Sequence, residues 1–521
     1  MVVETVVRHA AGATAGLQPG DVIHSWSSAA TPAGERPAGG ATRTPYDLLS
    51  LEIEQAPRHG VTLHGQRGDE EQTWTLGSSE WWVEARPLLP AGLAARHRAA
   101  EAKAGAGDLA AAGRAWRSAA EVAAAAGHRR LAAWFLDRLA TALADGGRGP
   151  ESDATFERAA TLLAHDFAPV AGADLLRRWG ETLFNRGNGK AAFARYRQAL
   201  RLEQTAAPRS LGVARTLDAL GVALAKENDF LAAESHLRQA LAIRRELAPG
   251  TTEIALSLNR LGILARLRGD LAAAEQLLSR GEAIQRRLAP GSPRHSLLLL
   301  NAGNVATDRG DLERAQHLLR RALAIAEGSD PSATAGILEN LANLAMARGD
   351  LAEADDLLRR QLALHRGRAR SVGGVWRTLV GLGNLADLRG DLEAAAVHHR
   401  RALTLAERHF PEGREEEISL TNLGNVELAR GDVAAARPLL RRAWTITEKL
   451  APGTSYVAEA LIDLARLETA SGGDLAAAEG YLRQALALLE QEAPRSLQTA
   501  AALRSLGEIA ARRGRLAEAL A

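Results

Sequence analysis

A Gly-Asp turn interrupts the helical pattern of residues 299–323, which read Leu-Leu-Asn-Ala-Gly-Asn-Val-Ala-Thr-Asp-Arg-Gly-Asp-Leu-Glu-Arg-Ala-Gln-His-Leu-Leu-Arg-Arg-Ala-Leu. On both sides of the turn, apolar residues recur at intervals of three and four, the period of an amphipathic helix. Gly310 suits the left-handed conformation that ends a helix, and the Asp311 carboxylate can cap the free N–H groups of the next helix. The stretch therefore predicts two antiparallel helices joined by a short turn.

The same turn recurs along most of the chain, and its clean copies are 39 to 42 residues apart. The clean copies are Gly269-Asp270, Gly310-Asp311, Gly349-Asp350, Gly390-Asp391, Gly431-Asp432 and Gly473-Asp474. Weaker copies are Gly107-Asp108, Gly146-Gly147, Gly187-Asn188, Asn228-Asp229 and Gly514-Arg515. A fixed period of this length indicates a repeat architecture. We therefore expect about eleven helix pairs over residues 91–521, the last one truncated.

Two columns of small residues share this period. Seven positions before each turn glycine stand Gly180, Gly221, Gly262, Gly303, Ala342, Gly383, Gly424 and Gly507. Five positions after it stand Ala112, Ala192, Ala233, Ala274, Ala315, Ala354, Ala395, Ala436, Ala478 and Ala519. Small side chains let two helices approach closely where they cross. Gln361 replaces the small residue found at Ala240, Ala322, Ala402 and Ala443, so we expect looser packing there.

These units resemble tetratricopeptide repeats, whose consensus has Leu-Gly on the first helix and Ala on the second. The resemblance covers residues 91–521, and the long period is similar to that of the kinesin-light-chain-like subclass. It implies a mainly α fold, a right-handed superhelical solenoid of about eleven helix-pair repeats. It also implies that the first helix of each pair lines a concave groove.

Residues 1–90 lack the period and predict a small α+β domain. Alternating or apolar segments at Val2–Val7, Val61–His64 and Gln72–Leu76 predict strands. Thr44–Gln55 predicts a capped helix with Pro in its first turn. Thr31–Thr42 is rich in Gly, Pro and Ala, which predicts a loop.

Residues 15–23, Ala-Gly-Leu-Gln-Pro-Gly-Asp-Val-Ile, resemble the Ala-Gly-Leu-x-x-Gly-Asp-x-Ile signature of PDZ domains. The resemblance implies a PDZ-like domain over residues 1–90. The family's carboxylate-binding loop precedes the strand matched here by Val2–Val7, so it would fall before Met1 and is absent. We therefore expect this domain to cap the first repeat rather than to capture peptides. Trp81 and Trp82 either pack it against the repeats or belong to its own core.

The composition excludes several classes of protein. Hydrophobic residues make up 46% and aromatic residues only 4% of the 521, so the core is expected to be Leu and Ala packed between helices. No cysteine is present, which excludes disulfides, thiolate nucleophiles and Cys-ligated zinc, and a cytoplasmic location is expected. The apolar runs are too short for a membrane span. The 64 basic and 62 acidic residues nearly balance, so no nucleic-acid partner is expected.

Motifs for catalysis or cofactor binding are missing from the sequence. It contains no Gly-x-Ser-x-Gly elbow, no phosphate-binding loop ending in Gly-Lys and no His-Glu-x-x-His motif. The 14 histidines, including the adjacent His398 and His399, are interpreted as mostly solvent-exposed side chains. The sequence therefore predicts no enzyme activity, no cofactor and no metal site in this chain.

Asparagines on the first helices of four successive repeats form the candidate binding site. They are Asn304, Asn343, Asn384 and Asn425, six positions before the turn, and Asn301, Asn340 and Asn422, three positions earlier. Residues three apart share one face of a helix. A carboxamide both donates and accepts, so a stripe of them can bond to a peptide backbone. In the resembling family these positions face the groove and bind peptides; alternatively, the amides bond to neighbouring helices.

Two functions follow. The first is a non-catalytic scaffold that binds a peptide segment or partner protein in the concave groove. The second rests on a resemblance to bacterial proteins in which a PDZ-like start and long repeats precede a caspase-like (CHAT) protease domain. It makes the chain the regulatory part of such a protease, whose catalytic domain lies beyond Ala521. Self-assembly through an exposed half-repeat at Leu516–Ala521 is a third, weaker option.

Overall fold

The computed structural model describes residues 1–6, 11–28, 38–52, 60–77, 81, 83–166, 168–327, 330–366, 372–470, 472, 474–492 and 497–515. These residues are mostly helical, with a small antiparallel sheet at the start of the chain. The chain divides into two compact units, Met1–Ile337 and Leu338–Ala521. Leu516–Ala521, where half a repeat was expected, lies outside the described residues.

An antiparallel sheet forms the start of the first unit. Its strands are β1 (Val2–Val6), β2 (Val22–Ser27), β3 (Gly39–Ala41), β4 (Val61–Arg67), β5 (Glu70–Leu76) and β6 (Val83–Arg86). They run in the order β5-β4-β2-β1-β6, with β3 paired to β2. Helix α1 (Ala11–Thr14) follows β1, and helix α2 (Pro45–Ser50) precedes β4. The small α+β fold expected here is confirmed, although Val7 lies outside the described residues.

The loop predicted at Thr31–Thr42 is wrong for its last part, because Gly39–Ala41 form strand β3. A Cβ atom on Gly39 would lie 2.9 Å from the carbonyl oxygen of Trp26. A Cβ on Gly40 would lie 3.2 Å from the Trp26 indole nitrogen. The glycines therefore permit close pairing with β2 rather than indicating a loop. Residues 31–37 lie outside the described part of the chain.

The capped helix predicted after Thr44 is confirmed as α2. The Thr44 backbone N–H donates to Asp47 Oδ2 at 2.8 Å, and the two residues form a capping box. Pro45 occupies the first turn, where its missing N–H costs nothing. Residues 53–55 of the prediction are not among those described.

Helix α2 joins the sheet domain to the helices that follow. Tyr46 is 4% exposed and belongs to the same apolar core as Trp134. Leu48 and Leu51, by contrast, belong to the core of the sheet. Trp81 is also in the sheet core, which supports the second of its two predicted roles; Trp82 is outside the described residues. The single turn of α2 therefore contributes to two cores at once.

The remaining helices follow one another in pairs. In the first unit they are α3 (Ala91–Gly105), α4 (Leu109–Ala125), α5 (Arg129–Asp145), α6 (Gly149–His165), α7 (Pro169–Asn185), α8 (Gly189–Ala206), α9 (Leu211–Lys226), α10 (Phe230–Leu247), α11 (Thr252–Leu267), α12 (Leu271–Leu288), α13 (Pro293–Asp308) and α14 (Leu312–Ala326). The division between the units falls within α15 (Pro331–Ala347). The second unit contains α16 (Leu351–Arg366), α17 (Val372–Leu388), α18 (Leu392–His409), α19 (Arg414–Ala429), α20 (Val433–Leu450), α21 (Ser455–Ala470), α22 (Leu475–Glu492) and α23 (Leu497–Arg512).

The turns within the pairs have the predicted chemistry. Gly310 has a φ of 78°, and Asn228, which replaces glycine in the equivalent turn, has a φ of 62°. An L-residue with a positive φ is strained, and asparagine tolerates this region better than most. The next residue caps the second helix: Asp311 Oδ1 accepts from the Arg314 N–H at 3.1 Å, and Asp270 Oδ1 accepts from the Ala273 N–H at 2.9 Å. The turn therefore ends one helix and starts the next.

In most pairs, the glycine of the first helix lies against a leucine of the second helix, although Gly180 lies against Tyr196. A Cβ atom on Gly262 would lie 2.7 Å from Leu278 Cγ, and one on Gly303 would lie 2.9 Å from Leu319 Cγ. The predicted close approach of the two helices is therefore confirmed. Opposite Gly383 the leucine is replaced by His399, whose ring would lie 2.4 Å from such an atom.

His399 is 1% exposed, so the interpretation of the histidines as solvent-exposed is wrong here. It is also wrong for His97 and His295, which are 2% and 4% exposed. Burial lowers the pKa of His399 and that of His97 to about 4, because a charged imidazole loses its hydration in the core. Both rings are therefore neutral core side chains at physiological pH.

We predict opposite effects for two Gly→Ala substitutions. Gly262→Ala forces a methyl group against Leu278 and should destabilise the first unit by about 1–3 kcal/mol. Gly336→Ala is the matched control, because a Cβ there meets nothing within 4 Å. It should stabilise its helix by roughly 0.5–1 kcal/mol. Urea unfolding followed by circular dichroism measures both changes in the free energy of unfolding. Equal effects of the two substitutions would contradict the claim that Gly262 is needed for the close approach of the helices.

We predict that His399→Leu reduces the loss of folding stability that accompanies a fall in pH below 6.5. An unfolded histidine takes up a proton near pH 6.5, whereas His399 resists protonation down to about pH 4. Stability is therefore unaffected by this group above pH 6.5 and falls as the pH drops from 6.5 to 4, by on the order of 3 kcal/mol at most. Leucine fits, since it occupies the equivalent position opposite Gly303. Unfolding midpoints of the wild type and the variant, each measured at pH 7 and pH 4.5, test this prediction. If the midpoint falls by the same amount in both proteins between these pH values, the prediction is contradicted.

Candidate functional site

The predicted asparagines all lie on first helices, but they differ in exposure. Asn343 and Asn384 are exposed, on α15 and α17 respectively. The other five are partly buried: Asn301, Asn304, Asn340, Asn422 and Asn425. Within each unit, no hydrogen bond among the described residues joins two of the seven. We call the seven asparagines the amide stripe.

In the first unit, Asn301 of the amide stripe makes a contact between repeats. Asn301 Nδ2 on α13 donates to Asn259 Oδ1 on α11 at 2.8 Å. Asn259 is 4% exposed, so this bond satisfies a buried carboxamide. The alternative reading of the stripe, bonding to a neighbouring helix, therefore holds for Asn301.

In the second unit, one end of the stripe makes a similar contact. Asn425 Nδ2 on α19 lies 3.5 Å from Asp463 Oδ2 on α21, at the outer limit of a hydrogen bond. The Asn425 Oδ1 atom is buried and has no hydrogen-bond partner among the described residues. Asn343 and Asn384 make no such contact in the part of the chain that the structure describes. Among the seven asparagines, only these two are exposed, so their carboxamides are accessible to a partner.

Three carboxyl groups with shifted pKa values lie on first helices of the second unit, Glu339 on α15, Glu417 on α19 and Asp463 on α21. Burial raises the pKa of Glu339, Glu417 and Asp463, and nearby arginines only partly offset it. Gln361, which was expected to loosen the packing, is 2% exposed and its Nε2 donates to Glu339 at 3.4 Å. These carboxylates are partly stripped of water, so N–H donors would be favourable neighbours for them.

A buried charge cluster in the first unit was missed from the sequence. Arg244 on α10 has a side chain with 0% exposure. Its Nη2 lies 2.7 Å from Asp218 Oδ2 on α9, and its Nε donates to Glu253 Oε2 on α11 at 3.1 Å. Nη1 also donates to Ser257 Oγ at 2.7 Å. Burial alone would lower the pKa of Arg244, but the two carboxylates outweigh it and raise the pKa.

One sequence signal could have revealed this cluster. Arg244 lies sixteen positions after its turn residue, Asn228. Most equivalent positions elsewhere hold small or neutral residues, among them Gln285, Ala326, Ala406 and Thr447, although Glu203 occupies this position in the preceding repeat. An arginine in a column of small or neutral residues predicts a buried partner of opposite charge, because an unpaired buried charge is costly.

No group of three or more His, Asp or Glu side chains among the described residues is arranged to hold a metal ion. Nor does any helix in the described ranges combine the length and apolarity needed to cross a bilayer.

Comparison with known proteins identifies the repeats. A model of the MalT-like TPR region matches residues 214–372. A second model, of the tetratricopeptide repeat, matches residues 173–246 and 415–491. This chain is a tetratricopeptide repeat protein. The helix pairs and their small-residue columns are those of tetratricopeptide repeats, as the sequence predicted.

Solved structures with low sequence identity resemble this tetratricopeptide repeat protein. BtubC (BKLC) from P. vanneervenii is 21% identical over 41% of this chain and 87% of its own, with a TM-score of 0.36. The apo form of the quorum sensor NprR from B. thuringiensis is 13% identical over 69% of this chain and 97% of its own, with a TM-score of 0.48.

A third structure is a STAND signal-transduction ATPase with a tetratricopeptide repeat sensor, PH0952 from Pyrococcus horikoshii. It is 13% identical over 71% of this chain and 52% of its own, with a TM-score of 0.45. At such identities and TM-scores these likenesses carry no argument about function. No curated protein matches the sequence.

We predict that Arg244→Met strongly destabilises this tetratricopeptide repeat protein. The substitution leaves Asp218 and Glu253 without the cation between them, at a cost of about 3–5 kcal/mol. Arg238→Met on the same helix is the control; the Arg238 side chain is 71% exposed, so its loss should change stability by less than about 0.5 kcal/mol. Thermal unfolding of both variants decides the matter, and similar midpoints would show that the buried cluster contributes little.

Proposed function

We propose that this tetratricopeptide repeat protein is a non-catalytic scaffold that binds an extended peptide or a segment of a partner protein along its first helices. The observation that carries the proposal is the pair Asn343 and Asn384. They occupy equivalent positions of successive repeats, and both side chains are exposed. Unlike Asn301 and Asn425, their carboxamides make no contact that the fold requires.

The chemistry of these side chains suits a peptide backbone. Each carboxamide offers an N–H donor and a carbonyl acceptor, so it can pair with both groups of one peptide unit. Such bonds depend little on the sequence of the bound segment. The partly desolvated carboxylates of Glu339, Glu417 and Asp463 would add acceptors for N–H groups of the same segment.

We predict that the double variant Asn343→Ala/Asn384→Ala binds peptides several-fold more weakly. The peptides would be selected against the intact chain from a random display library. Each lost hydrogen bond should cost about 0.5–1.5 kcal/mol, or roughly two- to tenfold in affinity. Fluorescence anisotropy of labelled peptides measures the loss.

The control is Asp356→Ala/Glu393→Ala, two side chains on the second helices of the same repeats. Asp356 and Glu393 are 72% and 73% exposed, so this control should fold. The asparagine variant should fold as well, because Asn343 and Asn384 are also exposed. Peptide affinity should be unchanged in this control. Equal affinity of the wild type and the asparagine variant, with helicity intact, would exclude the amide stripe as the binding site.

The regulatory reading is the second proposal. Its support is the PDZ-like motif of residues 15–23 followed by long repeats, as in proteins that carry a caspase-like (CHAT) domain. In that case the repeats restrain the protease or act as its sensor, and the bound segment is part of the protease. Sequencing the native gene and its neighbours tests this. If neither encodes a caspase-like domain, the regulatory reading fails.

The domain limits and the cellular location are proposals of the same kind. We propose a PDZ-like domain at residues 1–90 and the repeats at 91–521, because β6 ends at Arg86 and α3 begins at Ala91. We also propose that the repeats belong to the kinesin-light-chain-like subclass and that the protein acts in the cytoplasm, which suits a chain without cysteine.

A further inference from the structure

A cavity of about 380 Å³ lies among the first helices of the last repeats in the second unit. Its lining residues come from α19, α21 and α23, together with the buried Leu482 of α22. Leu428, Ile462, Ala465 and Ile509 complete an apolar wall. The volume lies in the usual range for small-ligand sites, so one large side chain fits inside it. We call this cavity the apolar groove.

The rim of the apolar groove is polar but has no net charge. Arg466 lines it and donates from Nη1 to Asp463 Oδ1 at 3.1 Å, so its charge is compensated on its own helix. Arg512 and Glu508, which also line it, lie four positions apart on α23 and have opposite charges. The apolar wall therefore decides what the groove accepts.

Three carboxylates gather on two of the same helices. They are Glu417 on α19 and Glu459 and Asp463 on α21. The charges of Glu459 and Asp463 act on Glu417, and that of Glu459 acts on Asp463. The side chains of Glu417 and Asp463 are only 12% and 16% exposed, and this burial raises the pKa of both. We call these three residues the acidic cluster.

The cations beside the acidic cluster do not balance it. Arg466 pairs with Asp463, as described above. Arg414 Nε lies 3.6 Å from Glu417 Oε2, and its guanidinium carbon lies 4.0 Å from the centroid of the Tyr456 ring. An aromatic ring face attracts a cation, so Arg414 is divided between two partners. Three carboxylates therefore share two guanidinium groups.

Two buried acceptor atoms beside the cluster also lack a donor. Thr421 Oγ1 donates to Glu417 Oε1 at 3.3 Å, but Glu417 Oε2 has no hydrogen-bond partner among the described residues. Asn425 Oδ1 is in the same position. Glu417, Thr421 and Asn425 are four positions apart in turn, so they share one face of α19. Because buried acceptors normally receive a hydrogen bond, this face is short of N–H donors.

We propose that the segment bound along the first helices carries a Lys or Arg side chain that reaches the acidic cluster, and a large apolar side chain that fills the apolar groove. An ammonium has three N–H donors and a guanidinium has five, and neither has an acceptor. They match a site rich in carboxylates and unpaired oxygens. The inference rests on the proposed function, since it names what the bound segment must contain.

The spacing of the two sites limits the spacing of the two side chains. Glu417 and Leu428 are eleven positions apart on α19, which is roughly 16 Å along the helix axis. An extended peptide covers this distance in about five residues. The basic and the apolar residue of the segment are therefore expected no more than about five positions apart.

Selection of a random peptide display library against the intact chain tests the inference. The selected peptides should be enriched in Lys or Arg within about five positions of Leu, Ile, Met, Phe or Trp. Peptides that bind through Asn343 and Asn384 but lack this enrichment overturn the inference and leave the proposed function standing. If no peptide is selected, both fail.

The variant Glu417→Gln/Asp463→Asn tests the acidic cluster. It should weaken binding of a selected peptide by about tenfold, and binding of the same peptide with Ala at its basic position hardly at all. The variant should fold, because it removes charges that burial disfavours and keeps the size of both side chains. Asp356→Asn/Glu393→Gln makes the same change in net charge at side chains 72% and 73% exposed. Equal losses of affinity in the two double variants would overturn the assignment to the cluster.

The variant Ala429→Leu tests the apolar groove. Ala429 lines the groove and is exposed, so a larger side chain narrows the groove without entering the core. Fluorescence anisotropy should show several-fold weaker binding of the selected peptide, but not of the form with Ala at its apolar position. Ala434→Leu, at an exposed alanine of α20 that does not line the groove, is the control. Unchanged affinity in the Ala429 variant would overturn the assignment to the groove.

Discussion

The contact between a glycine on the first helix and a leucine on the second sets the spacing of the helix pairs. It recurs at Gly221, Gly262, Gly303 and Gly424, where no side chain larger than hydrogen fits without movement. Because the two helices approach closely in each of these pairs, the turn, the cap and the apolar faces have the same relative positions from one pair to the next. The asparagines of the amide stripe take their positions from that geometry, because the first helices present them at fixed intervals along the chain.

The repeats could be predicted from sequence because the signals are local and repeated many times. The turn needs a residue that accepts a positive φ, followed by a side chain that accepts N–H bonds, and both requirements are visible in the chain. The sheet was harder to predict. Strand β3 reads as a loop because its glycines serve the approach to Trp26, and β6 is too short to show a pattern.

The candidate site could be predicted only in part. The sequence located the asparagines on one helical face, but it could not tell which of them the fold uses. Asn301 bonds to Asn259, and both residues carry the same carboxamide as the exposed Asn343 and Asn384. The difference arises from side chains forty or more residues away. Arg244 was missed because Asp218 and Glu253 become its neighbours only when three helices are packed together.

The placement of Tyr46 has a consequence for the modularity of this protein. Its ring is buried in the core of the repeats, and the Arg178 guanidinium lies 5.8 Å from the ring centroid, although Tyr46 belongs to the sheet domain. A fragment cut between the two would leave a hole on one side and an exposed aromatic ring on the other. A different domain placed before the repeats would therefore have to supply its own aromatic side chain at this position to fill the same core.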